Sequence, residues 1–192
     1  MKRYKIEKNT VQETLVIPLY GRWLCSQRYP HLFQDENVAE LMERIDYDFF
    51  ELEKRSAGLM QEFGAMETAM RQKDMAWEVR DYLLSHPNAA VVNLGCGLDC
   101  TGRNCDNGSC KIYNIDLPDV IRVRNQLLPA GDREKNLALD LNDPAWMAAI
   151  DSDPEDGTVL FAAGVFYYFQ AEAVRTMVAA MSRRFPGGRL VF

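Results

Sequence analysis

The stretch from Ala89 to Pro118, AAVVNLGCGLDCTGRNCDNGSCKIYNIDLP, constrains the fold more than any other part of this chain. Its apolar start leads directly into Gly95-Cys96-Gly97, where glycines allow a sharp turn and a close approach of the backbone to a ligand. A second strand, KIYNID, follows and ends at Asp116. A strand, a glycine loop and an acid about twenty residues later are typical of a site for the nucleoside part of a cofactor.

The glycine spacing helps to distinguish between cofactors. A dinucleotide fold has the pattern G-x-G-x-x-G, whereas this chain has Cys100 at the third position. The pattern therefore disfavours a nucleotide-dependent oxidoreductase and favours S-adenosylmethionine, which has no phosphates to hold. A strand and turn without any ligand stay open as a purely structural alternative.

Composition excludes several classes of function. The formal net charge is −6, and no long block of Lys or Arg is present, which argues against binding of nucleic acid or of an anionic membrane surface. No apolar run is long enough for a bilayer span, and the first residues lack the apolar core of a secretory signal, so we expect a cytoplasmic protein with reduced cysteines. Four of the cysteines surround the glycine loop, but without a C-x-x-C pair, and we expect no metal site.

Two regions of different character follow each other along the chain. Residues 1–88 have helical spacing, with Asp35 as a predicted cap and with Gly58 and Gly64 as soft interruptions. Residues 89–192 alternate strands with helices, one of them capped by Asn142 or Asp143. Apolar strands in this alternation predict an α/β fold with a doubly wound, mostly parallel sheet. The predicted strands are VVNLGC, KIYNID, EKNLALDL, TVLFAAGVF and RLVF.

Several stretches resemble the class I S-adenosylmethionine-dependent methyltransferases, and more narrowly the leucine carboxyl methyltransferase and polyketide carboxyl O-methyltransferase group. They are VVNLGCGLD, YNIDLPDVIRVR, LALDLNDPAWM, VLFAAGVFYYF and RRFPGGRLVF. The resemblance implies a Rossmann-like core of about five strands over residues 89–192. It also implies that residues 1–88 form a helical lid that recognises the substrate.

The resemblance further implies a set of residues that bind S-adenosylmethionine. In the family's pattern, Arg71 meets the methionine carboxylate, Asp116 holds the ribose hydroxyls, and Asp140 contacts adenine. Each has an alternative: Arg71 as a solvated arginine, Asp116 as a helix cap and Asp140 as a turn acid. The full set is Arg71, Gly95, Cys96, Gly97, Asp116, Leu117, Asp140, Leu141 and Ala163.

The implied activity is O-methylation of a small molecule, with a carboxylate as the expected acceptor. A carboxylate is already a nucleophile and needs no general base, and neither His31 nor His86 lies in a recognisable base motif. No catalytic residue is assigned. Four residues are predicted to border the substrate, or else to belong in part to the core: Tyr20, Arg22, Tyr167 and Tyr168.

Two departures from the family pattern lead to further expectations. Many members have a glutamate where this chain has Ala163, which favours an alternative function as a cofactor-binding protein without catalysis. The family fold also continues past its fifth strand, whereas this chain stops at Phe192. We therefore expect a C-terminally short core, and a homodimer that covers the exposed sheet edge.

Overall fold

The computed structural model describes residues 3–55 and 59–192, without the side chains of residues 52, 53, 55 and 59–61. The chain divides into two compact units, Met1–Asp74 and Met75–Phe192. The predicted interruption at Gly58 lies outside the described residues. Gly64 lies inside a continuous helix, so it does not interrupt it.

The first unit is mainly helical. Its elements are β1 (Tyr4–Lys5), a 3-10 helix (Val11–Leu15), α1 (Val16–Arg28), α2 (Glu36–Arg44), β2 (Ile45–Asp46), α3 (Phe49–Arg55) and the first part of α4 (Leu59–Ser85). The cap predicted at Asp35 is confirmed, because its carboxylate accepts a hydrogen bond from the Asn37 amide at 3.0 Å. The parallel pairing of β1 with β2 was not predicted, since two-residue strands are too short to show an alternating pattern.

The second unit contains the predicted α/β fold. Its elements after α4 are β3 (Ala90–Leu94), α5 (Thr101–Asn104), β4 (Lys111–Asp116), α6 (Pro118–Leu127), β5 (Glu134–Ala138), a 3-10 helix (Pro144–Ala149), β6 (Thr158–Phe161), a 3-10 turn (Phe166–Tyr168), α7 (Ala171–Arg184) and β7 (Arg189–Val191). Asp143, one of the two proposed caps, accepts a hydrogen bond from the Ala145 amide at 2.9 Å.

The five strands form one parallel sheet in the order β5-β4-β3-β6-β7. The first strand in the chain, β3, is therefore central, and successive strands are added first on one side of it and then on the other. In open α/β sheets, ligands bind beyond the carboxyl ends of the strands where this order reverses. That position lies between β3 and β6.

Both faces of the sheet are covered, which confirms the doubly wound arrangement. On one face, Ala90, Val92 and Leu94 pack in a cluster with residues of α7 and of the 3-10 helix Pro144–Ala149. On the other face, Val91 packs in a cluster that includes Val79 from α4. Neighbouring residues of β3 thus point to opposite faces, as the pleat of a strand requires.

The C-terminal part of α4 belongs to the sheet-containing unit. Met75, Val79, Tyr82 and Leu83 are buried in the same cluster as β3 and β6. The division between the units consequently falls after Asp74, earlier than the predicted division after residue 88. Sequence spacing indicates one helix here but does not show which core each of its turns joins. The role of the first unit as a lid stays a prediction.

Two surface properties bear on the remaining expectations. Strand β7 lies at an edge of the five-stranded sheet, and its cover by a second copy stays a prediction. Within the described residues, none of the helices combines the length and the apolar character needed to cross a bilayer.

Candidate functional site

The glycine loop directly follows the central strand β3 and has the backbone conformation that its sequence predicts. Gly95 and Gly97 have positive φ angles of 65° and 47°, a region that side chains other than glycine rarely adopt. An added Cβ at Gly95 would lie only 2.4 Å from a methyl carbon of Val165. The loop therefore needs glycine at position 95 both for its backbone and for its contact with the segment after β6.

Asp116 lies beside this loop at the carboxyl end of β4. Its Oδ2 accepts a hydrogen bond from the Gly97 amide at 2.8 Å, and its Oδ1 accepts one from the Leu117 amide at 2.8 Å. Burial raises the pKa of the Asp116 carboxyl, although both amide bonds and the charge of Arg124 act to lower it. The fold thus brings the predicted glycine loop and the predicted ribose acid into direct contact.

A buried arginine that the sequence analysis did not identify supports the loop from α6. The Arg124 Nη1 donates to the carbonyl oxygens of Gly97 and Asp99 at 3.0 and 2.8 Å. Its Nε donates to Asn136 at 3.0 Å, and its Nη2 donates to Glu134 at 3.3 Å. Arg124 therefore joins the loop after β3 to the edge strand β5.

Glu134 is the acid of this buried network. It also accepts hydrogen bonds from Arg103 at 2.9 and 2.6 Å and from Asn114 at 2.6 Å. Burial acts to raise the pKa of Glu134, but the hydrogen bond from Arg103 and the charges of Arg103 and Arg124 hold it below its ordinary value of 4.5. Glu134 is consequently a carboxylate at neutral pH.

Asp140 and Leu141 follow the end of β5 at the same edge of the sheet. Asp140 is exposed, and its Oδ1 accepts hydrogen bonds from the amide and the side chain of Asn142, both at 2.9 Å. This is the turn geometry considered as the alternative for Asp140, and it leaves the carboxylate at the surface. Leu141 is buried in the core. Their contacts with adenine stay a prediction.

The segment after β6 returns to the glycine loop. Ala163 is partly buried, Gly164 has a positive φ of 98°, and Val165 lies against Gly95. Tyr167 and Tyr168 in the following 3-10 turn are 83% and 73% exposed. Both phenol rings are therefore available to a ligand, and the view of one of them as a core residue is wrong.

Three predicted site residues belong to the first unit. Arg71 pairs with Glu67 on its own helix at 3.4 Å. Tyr20 is buried and stacks on Phe49. Arg22 is buried and donates to Asp35 at 2.7 Å, which gives its guanidinium a structural partner within this unit. The predicted contacts of Arg71, Tyr20 and Arg22 with cofactor or substrate stay predictions.

The cysteines around the loop are buried thiols rather than exposed nucleophiles. Burial raises the pKa of the Cys96 thiol, with the charge of Arg124 opposing the shift. Burial likewise raises the pKa of Cys105 to about 11. Among the described residues, no three His, Cys, Asp or Glu side chains lie in an arrangement suited to a metal ion. The expectation of a protein without metal stays a prediction.

The chemistry of this edge suits an adenosyl ligand without phosphates. Asp116 is the last residue of β4 and Asp140 follows β5 by two residues, so two carboxyl groups lie at this edge of the sheet. Carboxylates accept hydrogen bonds from ribose hydroxyls. The helix after the glycine loop, α5, has only four residues, and it lacks the long dipole that supports phosphate binding in dinucleotide folds.

Comparison with known proteins agrees with this geometry. The family model of leucine carboxyl methyltransferases matches residues 16–182. The tetracenomycin polyketide synthesis O-methyltransferase TcmP of Streptomyces glaucescens is 28% identical over 184 residues, which cover 95% of this chain and 65% of that protein. The chain thus spans less than two thirds of this relative's length.

Solved structures give weaker matches. An O-methyltransferase family protein from Burkholderia thailandensis is 18% identical with a TM-score of 0.49, and the match covers 96% of this chain and 55% of that protein. An amino pentose methyltransferase from Micromonospora echinaspora is 18% identical with a TM-score of 0.43, covering 73% and 52%. The assignment rests on the family model, whose match extends over most of the sequence: this chain belongs to the leucine carboxyl methyltransferase family.

Proposed function

We propose that the chain is an S-adenosylmethionine-dependent O-methyltransferase that acts on a small molecule, with a carboxylate as the acceptor. The observation that carries the proposal is the contact of the Asp116 carboxylate with the Gly97 amide at the carboxyl edge of the sheet. The family membership, the partly buried Asp116 and the exposed Asp140 at this edge support the same ligand.

Each residue has a defined part in this proposal. Gly95, Cys96 and Gly97 would form the backbone surface against the cofactor, and Asp116 and Leu117 would hold its ribose. Asp140 and Leu141 would contact the adenine, Ala163 would line the cleft, and Arg71 would hold the methionine carboxylate. An arginine suits the last role because its guanidinium can hold a carboxylate with two parallel bonds.

S-adenosylmethionine would supply a sulfonium methyl group, whose transfer forms an O–C bond, breaks the C–S bond and leaves the electron pair on sulfur. An acceptor carboxylate is already ionised at neutral pH, so the protein need only align it and exclude water. The exposed rings of Tyr167 and Tyr168 follow β6, where they could pack against a small organic acid. We further propose a cytoplasmic location, in which the five cysteines would stay reduced as thiols.

Calorimetric titration with S-adenosylhomocysteine tests the cofactor assignment. Asp116→Asn keeps the size of the side chain but removes its charge, and it should weaken binding about 10- to 100-fold, since a hydrogen bond to a charged group contributes roughly 1.5–3 kcal/mol. Asp119→Ala is the matched control, because Asp119 is an exposed acid on the same segment that pairs with Arg122. A folded chain that does not bind the ligand would contradict the proposal.

A second candidate is a cofactor-binding protein without catalysis, and Ala163, two residues after β6, favours it. The two functions are separated by incubating the protein with S-adenosylmethionine and a panel of carboxylic acids and phenols. Methyl esters formed in preference to ethers would support the carboxylate proposal. Tight cofactor binding without any transfer would support the second candidate instead.

A further inference from the structure

Arg124 is a charged side chain buried within the second unit. Its side chain is 1% exposed. Burying a guanidinium removes it from water at a high cost, so such a group needs partners for its donors. In this unit four hydrogen bonds provide them, and two of the four go to carbonyl oxygens of the loop after β3.

The two loop bonds fix the backbone where it carries the site. The Gly97 carbonyl accepts from Arg124 at 3.0 Å while the Gly97 amide donates to Asp116 at 2.8 Å. Gly97 is therefore held from both sides in its left-handed conformation. A second bond to the Asp99 carbonyl at 2.8 Å holds the end of the loop, whose Asp99 carboxylate in turn accepts from the Thr101 amide at 3.0 Å.

The remaining partners of Arg124 keep its guanidinium in place. Asn136 and Glu134 on β5 accept its Nε and Nη2. Glu134 is also held by Arg103, at 2.6 Å, so the acid has a fixed position of its own. Since Arg has a planar fork of five donors, it can bond two loop carbonyls and two groups of β5 together, which the single ammonium of a Lys cannot reproduce.

We propose that Arg124 is a positioning residue that holds the Gly97–Asp99 backbone in the conformation which accepts the cofactor. The inference rests on the proposed function, because the ligand it serves is S-adenosylmethionine. Arg124 acts through the loop, since its side chain is almost fully buried and its donors face carbonyl oxygens. Its replacement is expected to weaken ligand binding through a looser loop and without loss of a direct contact.

Arg124→Lys tests this proposal, and Arg103→Lys is the matched control. Arg103 shares Glu134 with Arg124, but its other partner is the Pro129 carbonyl and not the glycine loop. Each variant is titrated with S-adenosylhomocysteine under conditions in which urea unfolding shows it to be folded. We expect Arg124→Lys to weaken binding at least about tenfold and Arg103→Lys to change it by less than about twofold.

Amide hydrogen exchange without ligand provides a readout that is independent of the proposed function. The Gly97, Asp99 and Thr101 amides should exchange faster in Arg124→Lys, whereas amides in the middle of β3 keep their protection. Faster exchange in the variant, found together with a wild-type chain that binds no S-adenosylhomocysteine, would support the hold of Arg124 on the loop. The same pair of results would refute the proposed function.

Three results would overturn the proposal. One is wild-type affinity in a folded Arg124→Lys protein, and another is unchanged exchange of the loop amides in that protein. The third is an equal loss of affinity in Arg103→Lys, which would trace the effect to general stability. If Arg124→Lys does not fold, Asn136→Ala serves instead. Asn136 accepts a hydrogen bond from Arg124 and makes no hydrogen bond to the loop, so this variant removes a partner of Arg124 without removing a contact of the loop. Unchanged affinity and unchanged loop exchange in that variant would equally contradict the proposal.

Discussion

The two sides of the central strand β3 are stabilised in different ways. On the β4–β5 side, Arg124 and Glu134 form a buried ion pair within a polar network. On the β6–β7 side, the strand residues Val159, Leu160 and Phe161 are buried and apolar. On that side, Arg189 forms ion pairs with Glu78 and Asp81. Each of the three side chains is about one third exposed or more.

This difference indicates which side supports the site. A buried charge left without its partner is strongly destabilising, whereas a surface ion pair contributes little because water screens it. The β4–β5 side carries its buried charges next to the glycine loop, and the loop carbonyls of Gly97 and Asp99 are among the acceptors. We infer that this side holds the loop in shape, while the β6–β7 side contributes mainly apolar packing.

The largest expected effect comes from Glu134→Ala. It would leave Arg124 without its buried carboxylate partner, and we expect a loss of about 3–5 kcal/mol in the free energy of unfolding. Glu78→Ala on the other side is the control, with an expected loss of about 1 kcal/mol or less. Urea unfolding of the two variants measures both values. Equal losses would remove the distinction between the two sides.

Gly95→Ala tests how tightly the loop packs against the β6–β7 side. Gly95 and Gly108 both have positive φ, so alanine at either costs roughly 1–2 kcal/mol of backbone strain. Only Gly95 faces a close neighbour, Val165, whereas nothing lies within 4 Å of an added Cβ at Gly108. Gly95→Ala should therefore lose about 1–3 kcal/mol more than Gly108→Ala.

The affinity for S-adenosylhomocysteine gives a second readout for this pair. It should fall in Gly95→Ala and stay unchanged in Gly108→Ala, because only the first substitution displaces the site loop. Equal stabilities in the two variants would show that Val165 moves aside at little cost.

The pH dependence of stability should report the charge of Glu134. Its pKa is lowered in the folded state, so its contribution to stability is present above its ordinary value of 4.5 and is lost as the pH falls through the folded-state pKa. As the pH is lowered below 4.5, Glu134→Gln should therefore lose less of its stability than the wild type does. Urea unfolding at a series of acidic pH values measures this, and parallel curves would contradict it.

The pH dependence of stability that Asp116 contributes has the opposite sign. Its pKa is raised in the folded state, so its contribution is fully present below its ordinary value of 3.8 and is lost as the pH rises through the folded-state value. In the wild type, the contribution of this group to stability should therefore increase as the pH falls. Asp116→Asn should lack that increase. The same titration compares the two variants, and a shift of the same sign in both would show that burial does not dominate at Asp116.

The smallest expected effect is that of Arg189→Gln on the β6–β7 side. Arg189 donates to Glu78 and Asp81 at 3.0 and 2.7 Å, but all three side chains are substantially exposed. We expect a loss of about 1 kcal/mol or less, which decreases further in high salt. A loss as large as that of Glu134→Ala would mean that this ion cluster is as important as the buried one.

The sequence predicted the parts of the fold that depend on local patterns. The five strands, the cap at Asp35 and the glycine loop with Asp116 all follow from spacing, turn chemistry and resemblance. The network behind the loop was not predicted, because it joins α6 to β5 through side chains. One signal was available: Arg124 has helical spacing with the buried Val120 and Leu127, whereas its neighbour Arg122 does not and is exposed.

Other features depend on tertiary contacts that no local pattern contains. The two-residue strands β1 and β2 have too few residues to alternate, and the division after Asp74 depends on which core each turn of α4 joins. The sequence also made Arg22 a candidate for holding a substrate carboxylate, although its guanidinium pairs with the buried Asp35. Arginines in both roles look alike in a sequence.

A crystal structure of the chain with S-adenosylhomocysteine tests the central claim most directly. We predict that the ribose hydroxyls lie within hydrogen-bond distance of the Asp116 carboxylate, that the adenine lies near Asp140 and Leu141, and that Arg124 keeps its bonds to the Gly97 and Asp99 carbonyls. Ligand bound elsewhere, or a glycine loop that releases Arg124 to admit it, would contradict the account.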